Sequence, residues 1–101
     1  MPQHGDRVGA ISHGKDGTLF IFGYGVYEAD EPPVSAAGWM AEACVEVGAP
    51  NPKIRLDSGK VVWGCECWWG SEVEVRKRCE TAKGVVEIDI DESRRQYNAA
   101  E

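Results

Sequence analysis

The stretch from Val61 to Gly70, VVWGCECWWG, constrains the fold most, because it holds three of the chain's four tryptophans and two of its four cysteines. A chain of 101 residues has room for one small domain, so bulk of this kind has to enter a modest core. Read as a strand, the stretch turns alternate side chains to opposite faces. Val61, Trp63, Cys65, Cys67 and Trp69 then share an apolar core face, and Val62, Gly64, Glu66 and Trp68 share the other. On that second face Trp68 and Glu66 lie beside a bare Gly64, which suits a binding surface: tryptophan anchors interfaces, and an aromatic beside glycine can stack a flat ligand. Tyr24 and Tyr27 fall on opposite faces of an earlier strand, so one of them can join Trp68 if the strands are neighbours. The plainer reading covers Trp68 with a helix and leaves Glu66 in an edge hydrogen bond.

The flanking sequence supplies the remaining elements. Arg7 to Ser12 reads as a strand, His13 to Gly17 as a turn, and Thr18 to Tyr27 as a longer strand that Gly23 and Gly25 interrupt with a bulge or a close approach. Pro32 and Pro33 end it. Ser35 is the expected N-cap of a helix through Val47, with Gly48 as its stop and Ala36, Met40, Ala43, Cys44 and Val47 on its buried face. Lys53 to Leu56 and Lys60 to Trp69 flank the turn Asp57-Ser58-Gly59. Ser71 and Glu74 form a capping box opening a second helix, whose buried stripe is Val75, Cys79 and Ala82 and which ends at Gly84. Val85 to Asp91 alternates as a strand, with Val86, Ile88 and Ile90 inward.

The order β-β-α-β-β-α-β predicts an α+β domain over residues 1–92, with a largely antiparallel sheet of about five strands and two helices. Residues 93–101 form a polar tail. The alternative is an SH3-like barrel with helical insertions.

Composition excludes several classes of function. No run approaches the roughly 18 to 20 apolar residues of a membrane helix, and the N-terminus has neither the basic nor the apolar region of a secretory signal. The expected compartment is therefore the cytoplasm, with reduced cysteines and no membrane contact. A net charge of −6 and a pI near 4.9 argue against direct nucleic-acid binding. The basic run Arg76-Lys77-Arg78 is interleaved with Glu72, Glu74 and Glu80 and reads as a solvated helix face.

A zinc site would draw on Cys65, Cys67, Cys79 and Cys44, with His4 or His13 as substitutes. One intervening residue between Cys65 and Cys67 is too few for the usual spacing of two to four. Cysteine as a small buried hydrophobe explains all four, and no cofactor is expected. Catalytic signatures are equally thin. Gly23-Tyr24-Gly25 lacks the third glycine and helix start of a phosphate loop, and the neighbouring acids Asp89 and Asp91 have no apolar surroundings to separate their pKa values. The expectation is a protein that is not an enzyme.

Two acidic clusters stand out, Glu28, Asp30 and Glu31, then Glu87, Asp89, Asp91 and Glu92. On one rim they would form a negative patch that steers basic partners. In size, charge and its tryptophan-rich strand, the sequence resembles the small acidic accessory proteins encoded by bacteriophages and mobile elements, anti-CRISPR proteins among them. That resemblance implies a stoichiometric binder that blocks a host defence factor. The leading expectation is thus a noncatalytic protein binder with an acidic, aromatic-containing surface, and an open strand edge is compatible with a homodimer. A nucleotide-like ligand site on Trp68, Glu66 and a tyrosine, or a zinc-stabilised domain, are the alternatives.

Overall fold

Asp16 and Gly17 make the turn from which the sheet grows. Both have positive φ, 53° and 85°, the two-residue Asp-Gly geometry whose twist matches the strands it joins. It closes an antiparallel hairpin between β1 (Arg7–Lys15) and β2 (Thr18–Glu31). The computed structural model describes residues 1–100, with side chains through Tyr97.

β3 (Asn51–Leu56) pairs with the second half of β2, and β4 (Val61–Trp63) pairs with β3. β5 (Trp68–Ser71) pairs with the free side of β1, which gives the order β4-β3-β2-β1-β5. Strands β4 and β5 end that order on opposite sides, yet only residues 64–67 join them. A flat five-stranded sheet would hold them roughly 19 Å apart. A single 3-10 turn, Gly64–Glu66, with its flanking residues reaches on the order of 13 Å. The sheet therefore curls, and the 14-residue β2 serves both halves. Between β2 and β3 the chain inserts α1 (Trp39–Val47).

Three elements follow β5: α2 (Glu72–Thr81), β6 (Gly84–Glu87) and α3 (Ile90–Ala100). β6 runs parallel to β2 over Thr18–Ile21, beside the stretch that β3 leaves open. The result is an α+β fold with a six-stranded, largely antiparallel sheet and three helices. No helix among the described residues is long and apolar enough to cross a membrane.

The curled sheet encloses Val8, Ala10, Phe22, Tyr27, Ile54, Leu56 and Val62, with Trp69 and Cys67 against them and Ile90 of α3 closing the end. On the outer face Ile11 and Ile21 meet Val75 of α2. That contact depends on Gly9, where a Cβ would stand 2.8 Å from Val75. The Ser71 hydroxyl accepts from the Glu74 amide (3.2 Å), the serine half of the expected capping box.

Three local expectations are corrected. The alternation over Lys60–Trp69 predicts one strand, but the chain breaks at Gly64, which packs against Pro52 with no room for a Cβ. There Asn51 Oδ1 accepts from the Cys65 amide (2.7 Å) and Glu66 Oε1 from the Trp63 amide (3.1 Å), so side chains replace the lost ladder partners. The first helix begins at Trp39, after Gly38 at φ 105°, because Ser35 is occupied elsewhere: its hydroxyl accepts from Trp63 Nε1 at 2.7 Å. Finally, the predicted last strand stops at Glu87 and residues 93–100 are helical, so a tail boundary at 92/93 falls inside α3.

Candidate functional site

Trp68 is the residue whose surroundings alternation leaves open, and the structure exposes 73% of it. It opens β5 opposite Ile11, so β1 beyond Ile11 has no strand partner on that side among the described residues. An open groove of about 600 Å³ results, between the tip of the β1–β2 hairpin and the C-terminal half of α2, with Trp68, His13, Lys15, Asp16, Arg78 and Thr81 on its walls. The His13 ring stacks on Phe20 at 4.6 Å and 8°, and its Nδ1 lies 2.9 Å from Ser12 Oγ.

The other residues proposed beside Trp68 lie elsewhere. The 3-10 turn breaks the pleat between positions 66 and 68 and takes Glu66 off the face of Trp68. Glu66 is instead held by Arg94 in a two-pronged ion pair (2.7 and 2.8 Å), with side chains only 8% and 16% exposed. Tyr24 packs under α2, where its hydroxyl is 3.6 Å from Cys79 Sγ and the Arg76 guanidinium lies 4.1 Å from its ring. Burial, and then the Cys79 contact, raise its pKa to about 12. Tyr27 is buried between the rings of His4 and Trp69, and its hydroxyl donates to Asp30 at 2.5 Å.

Nor do the acidic clusters form an unpaired rim. Glu28 binds Arg55 (2.8 Å), Glu31 binds Lys53 (3.4 Å), and Asp30 meets His4 (3.0 Å). Lys60 bridges Asp89 (2.5 Å) and Asp91 (3.1 Å), and Glu92 pairs with Arg95. Glu87 has no such partner among the described residues; its carboxylate lies over Gly23. These partners hold Glu28, Asp30 and Asp89 below the usual carboxylate range, mainly through hydrogen bonds from Arg55, Tyr27 and Lys60 respectively.

The pairing has a complement that net charge conceals. Arg7, Lys53, Arg55, Lys60, Arg76, Arg94 and Arg95 all lie within 4.0 Å of a carboxylate. Among the described residues, the Lys and Arg side chains with no such partner are Lys15, Lys77, Arg78 and Lys83. Two of these, Lys15 and Arg78, line the Trp68 groove, and the stem of Lys83 crosses Gly17 at the hairpin tip. Only the pattern of partners, absent from a one-dimensional reading, distinguishes these cations from the rest.

The cysteines are unbonded. Cys44 lies on α1, Cys65 in the 3-10 turn, Cys67 just after it and Cys79 on α2. Among the described residues no three His, Cys, Asp or Glu side chains are grouped to hold a metal, so the zinc set is not brought together. Burial, reinforced by the Glu66 charge, pushes the Cys67 thiol up to about 12 and raises that of Cys65, which disfavours the thiolate form.

The most conspicuous surface is one that helical periodicity assigns to the core. α1 buries only Ala41. Trp39, Met40 and Val47 are each more than half exposed, as is Val34 just before the helix. Between α1 and α3 lies a cleft of about 250 Å³, with Trp39, Met40 and Tyr97 at its rim and Cys65 and the Glu66–Arg94 pair inside. No protein family, curated protein or solved structure matches the chain.

Proposed function

We propose that the chain is a noncatalytic binding protein that presents α1 to a groove on a partner protein. The outward apolar face of α1 carries this reading. Trp39, Ala43 and Val47 follow one another at four-residue steps with Met40 beside them, the spacing by which a helix fills an apolar groove. The core of the sheet is closed without them, so their contribution to folding is small. Burying side chains of this size on a partner is worth roughly 1.5–3 kcal/mol each before association costs. Tryptophan and methionine are also the residue types that interface cores favour.

Charge defines the partner further. From Val34 to Pro52 the chain has no Lys, Arg or His, while Glu42 and Glu46 flank the apolar face. The complementary surface is an apolar groove with a basic rim, and attraction of opposite charge speeds encounter. On this reading the acidic, aromatic-containing contact lies on α1, away from the strand acids.

Quantitative affinity capture from the source cell's lysate tests the reading, using wild type, Trp39→Ala/Val47→Glu and Trp68→Ala. A protein bound by wild type and by Trp68→Ala, and depleted at least about ten-fold by the double variant, supports a helix-in-groove contact. Equal recovery with all three baits refutes it. Circular dichroism confirms that the double variant remains folded, as the exposure of both positions requires.

A further inference from the structure

We propose that the groove headed by Trp68 binds a nucleotide unit, an aromatic base with its phosphate, taken either as a free nucleotide or from a single strand. This surface is separate from α1 and does not depend on the protein-binding reading. Its first support is the indole itself. Trp68 is 73% exposed at the open end of the sheet, where no strand or helix of the described residues covers it. A base can stack on such a ring whatever its identity, because every base presents a π-face.

The second support is the distribution of charge. In a chain of net charge −6, most cations are held in ion pairs, yet Lys15 and Arg78 face the groove with no carboxylate within 4.0 Å among the described residues. Lys83 adds a third charge beside the hairpin tip. A free guanidinium is suited to phosphate, which it can engage through two parallel N–H donors. Asp16 is the one carboxylate among the lining residues; it disfavours a phosphate at the turn and favours one toward Arg78. The volume, about 600 Å³, falls within the roughly 300–1,000 Å³ of small-molecule sites. A duplex does not fit this recognition, since its bases are already stacked and paired and cannot reach Trp68. The acidic remainder of the protein does not preclude binding, because beyond roughly 8 Å its field is screened at physiological salt.

The test is titration of the full chain with adenosine monophosphate, a ten-residue oligothymidylate, a duplex of equal length and inorganic phosphate, followed by tryptophan fluorescence and calorimetry. Wild type is compared with Trp68→Ala, Trp68→Phe and Lys15→Glu/Arg78→Glu. These positions are exposed and leave folding intact, which thermal melts verify. The expected result is binding of the mononucleotide, the oligonucleotide or both, weakened about 5- to 150-fold by Trp68→Ala. Trp68→Phe restores much of the loss, and the charge reversal abolishes binding. Equal affinity for the two ligands identifies a free nucleotide. Tighter binding of the oligonucleotide, with affinity falling by a slope of about −1.4 to −2 against the logarithm of salt for two to three phosphates, identifies a single strand. The proposal is overturned by absence of binding to both, by a Trp68→Ala affinity equal to wild type, or by duplex or inorganic phosphate binding as tightly as the nucleotide ligands.

Discussion

Replacing Arg94 with alanine should destabilise the protein far more than a charge in the last helix ordinarily would. Arg94 Nε donates to Glu66 Oε2 (2.8 Å) and Nη2 donates both to Glu66 Oε1 (2.7 Å) and to the Val61 carbonyl (2.9 Å). One side chain thus ties α3 to the 3-10 turn and to β4. Without it, the Glu66 carboxylate, 8% exposed, keeps only the Trp63 amide as a donor among the described residues. Breaking a buried pair from one side costs about 3–5 kcal/mol. Water entering from the partly open Arg94 side lowers this to about 2–3 kcal/mol. For a domain of this length the loss corresponds to a fall in Tm of about 8–20 °C. Thermal and urea denaturation followed by circular dichroism measure it. Arg95→Ala is the control, because Arg95 pairs with Glu92 on an open surface and its loss should shift Tm by no more than about 2 °C. Glu66→Leu/Arg94→Met should recover part of the loss, since apolar groups of similar volume can replace a buried pair. An Arg94→Ala melt matching Arg95→Ala would refute the reasoning and mean that α3 does not dock on the turn.

Other expectations follow from contrasts in burial and charge. Trp63→Ala should cost about 3–5 kcal/mol in urea denaturation, because Trp63 is 2% exposed and donates to Ser35, whereas Trp68→Ala should change stability by less than about 0.5 kcal/mol. Cys67, with its thiol pushed up to about 12 by burial, should stay unmodified by an aromatic disulfide reagent at pH 8 until the protein unfolds, as mapped by mass spectrometry. Stability should fall on acidification. Glu28, Asp30, Asp57, Glu72 and Asp89 are held below their ordinary pKa values by hydrogen-bonded partners. Their contribution is complete above the unfolded range near pH 4 and is lost as pH drops through the lower folded values. Melts between pH 7 and pH 3 should show this, and Lys60→Met, which removes the partner of Asp89, should flatten the slope; an equal slope in the variant would count against the assignment.

Much of the fold was legible because local signals agreed with the packing. The turn ending at Gly17 (narrower than the expected His13–Gly17, since β1 runs on to Lys15), the Ser71 cap, the Val75 stripe and the Asp57-Ser58-Gly59 turn each rest on chemistry confined to a few neighbouring residues. What failed depended on contacts from elsewhere. Alternation carries a strand through Gly64, but Pro52 and Asn51 of β3 occupy the space and the amide that a continuing strand would need. Helical spacing on α1 was real, yet a period names a face without saying which way it points. The interior was already filled by Val62, Trp69 and Ile90, so that face turned outward.

The same distinction governs the candidate sites. Net charge counts residues, whereas recognition depends on which charges are left over after folding. The acidic clusters around Glu28 and Asp89 stay on the surface but are paired within the chain to Arg55, Lys53 and Lys60. Lys15 near the hairpin tip and Arg78 near the end of α2 are left without carboxylate partners among the described residues, in the groove that an exposed indole also lines. An acidic protein can therefore carry a locally basic groove, provided its acids are fixed by short-range pairs and its remaining field is screened beyond roughly 8 Å at physiological salt. Raising ionic strength should act on the two surfaces alike in direction but not in degree. It should weaken phosphate contacts at Arg78 steeply, through ion release, and slow encounter at the acidic flank of α1 while leaving its apolar contact largely intact. Comparing the salt dependence of ligand and partner binding would separate them without any substitution.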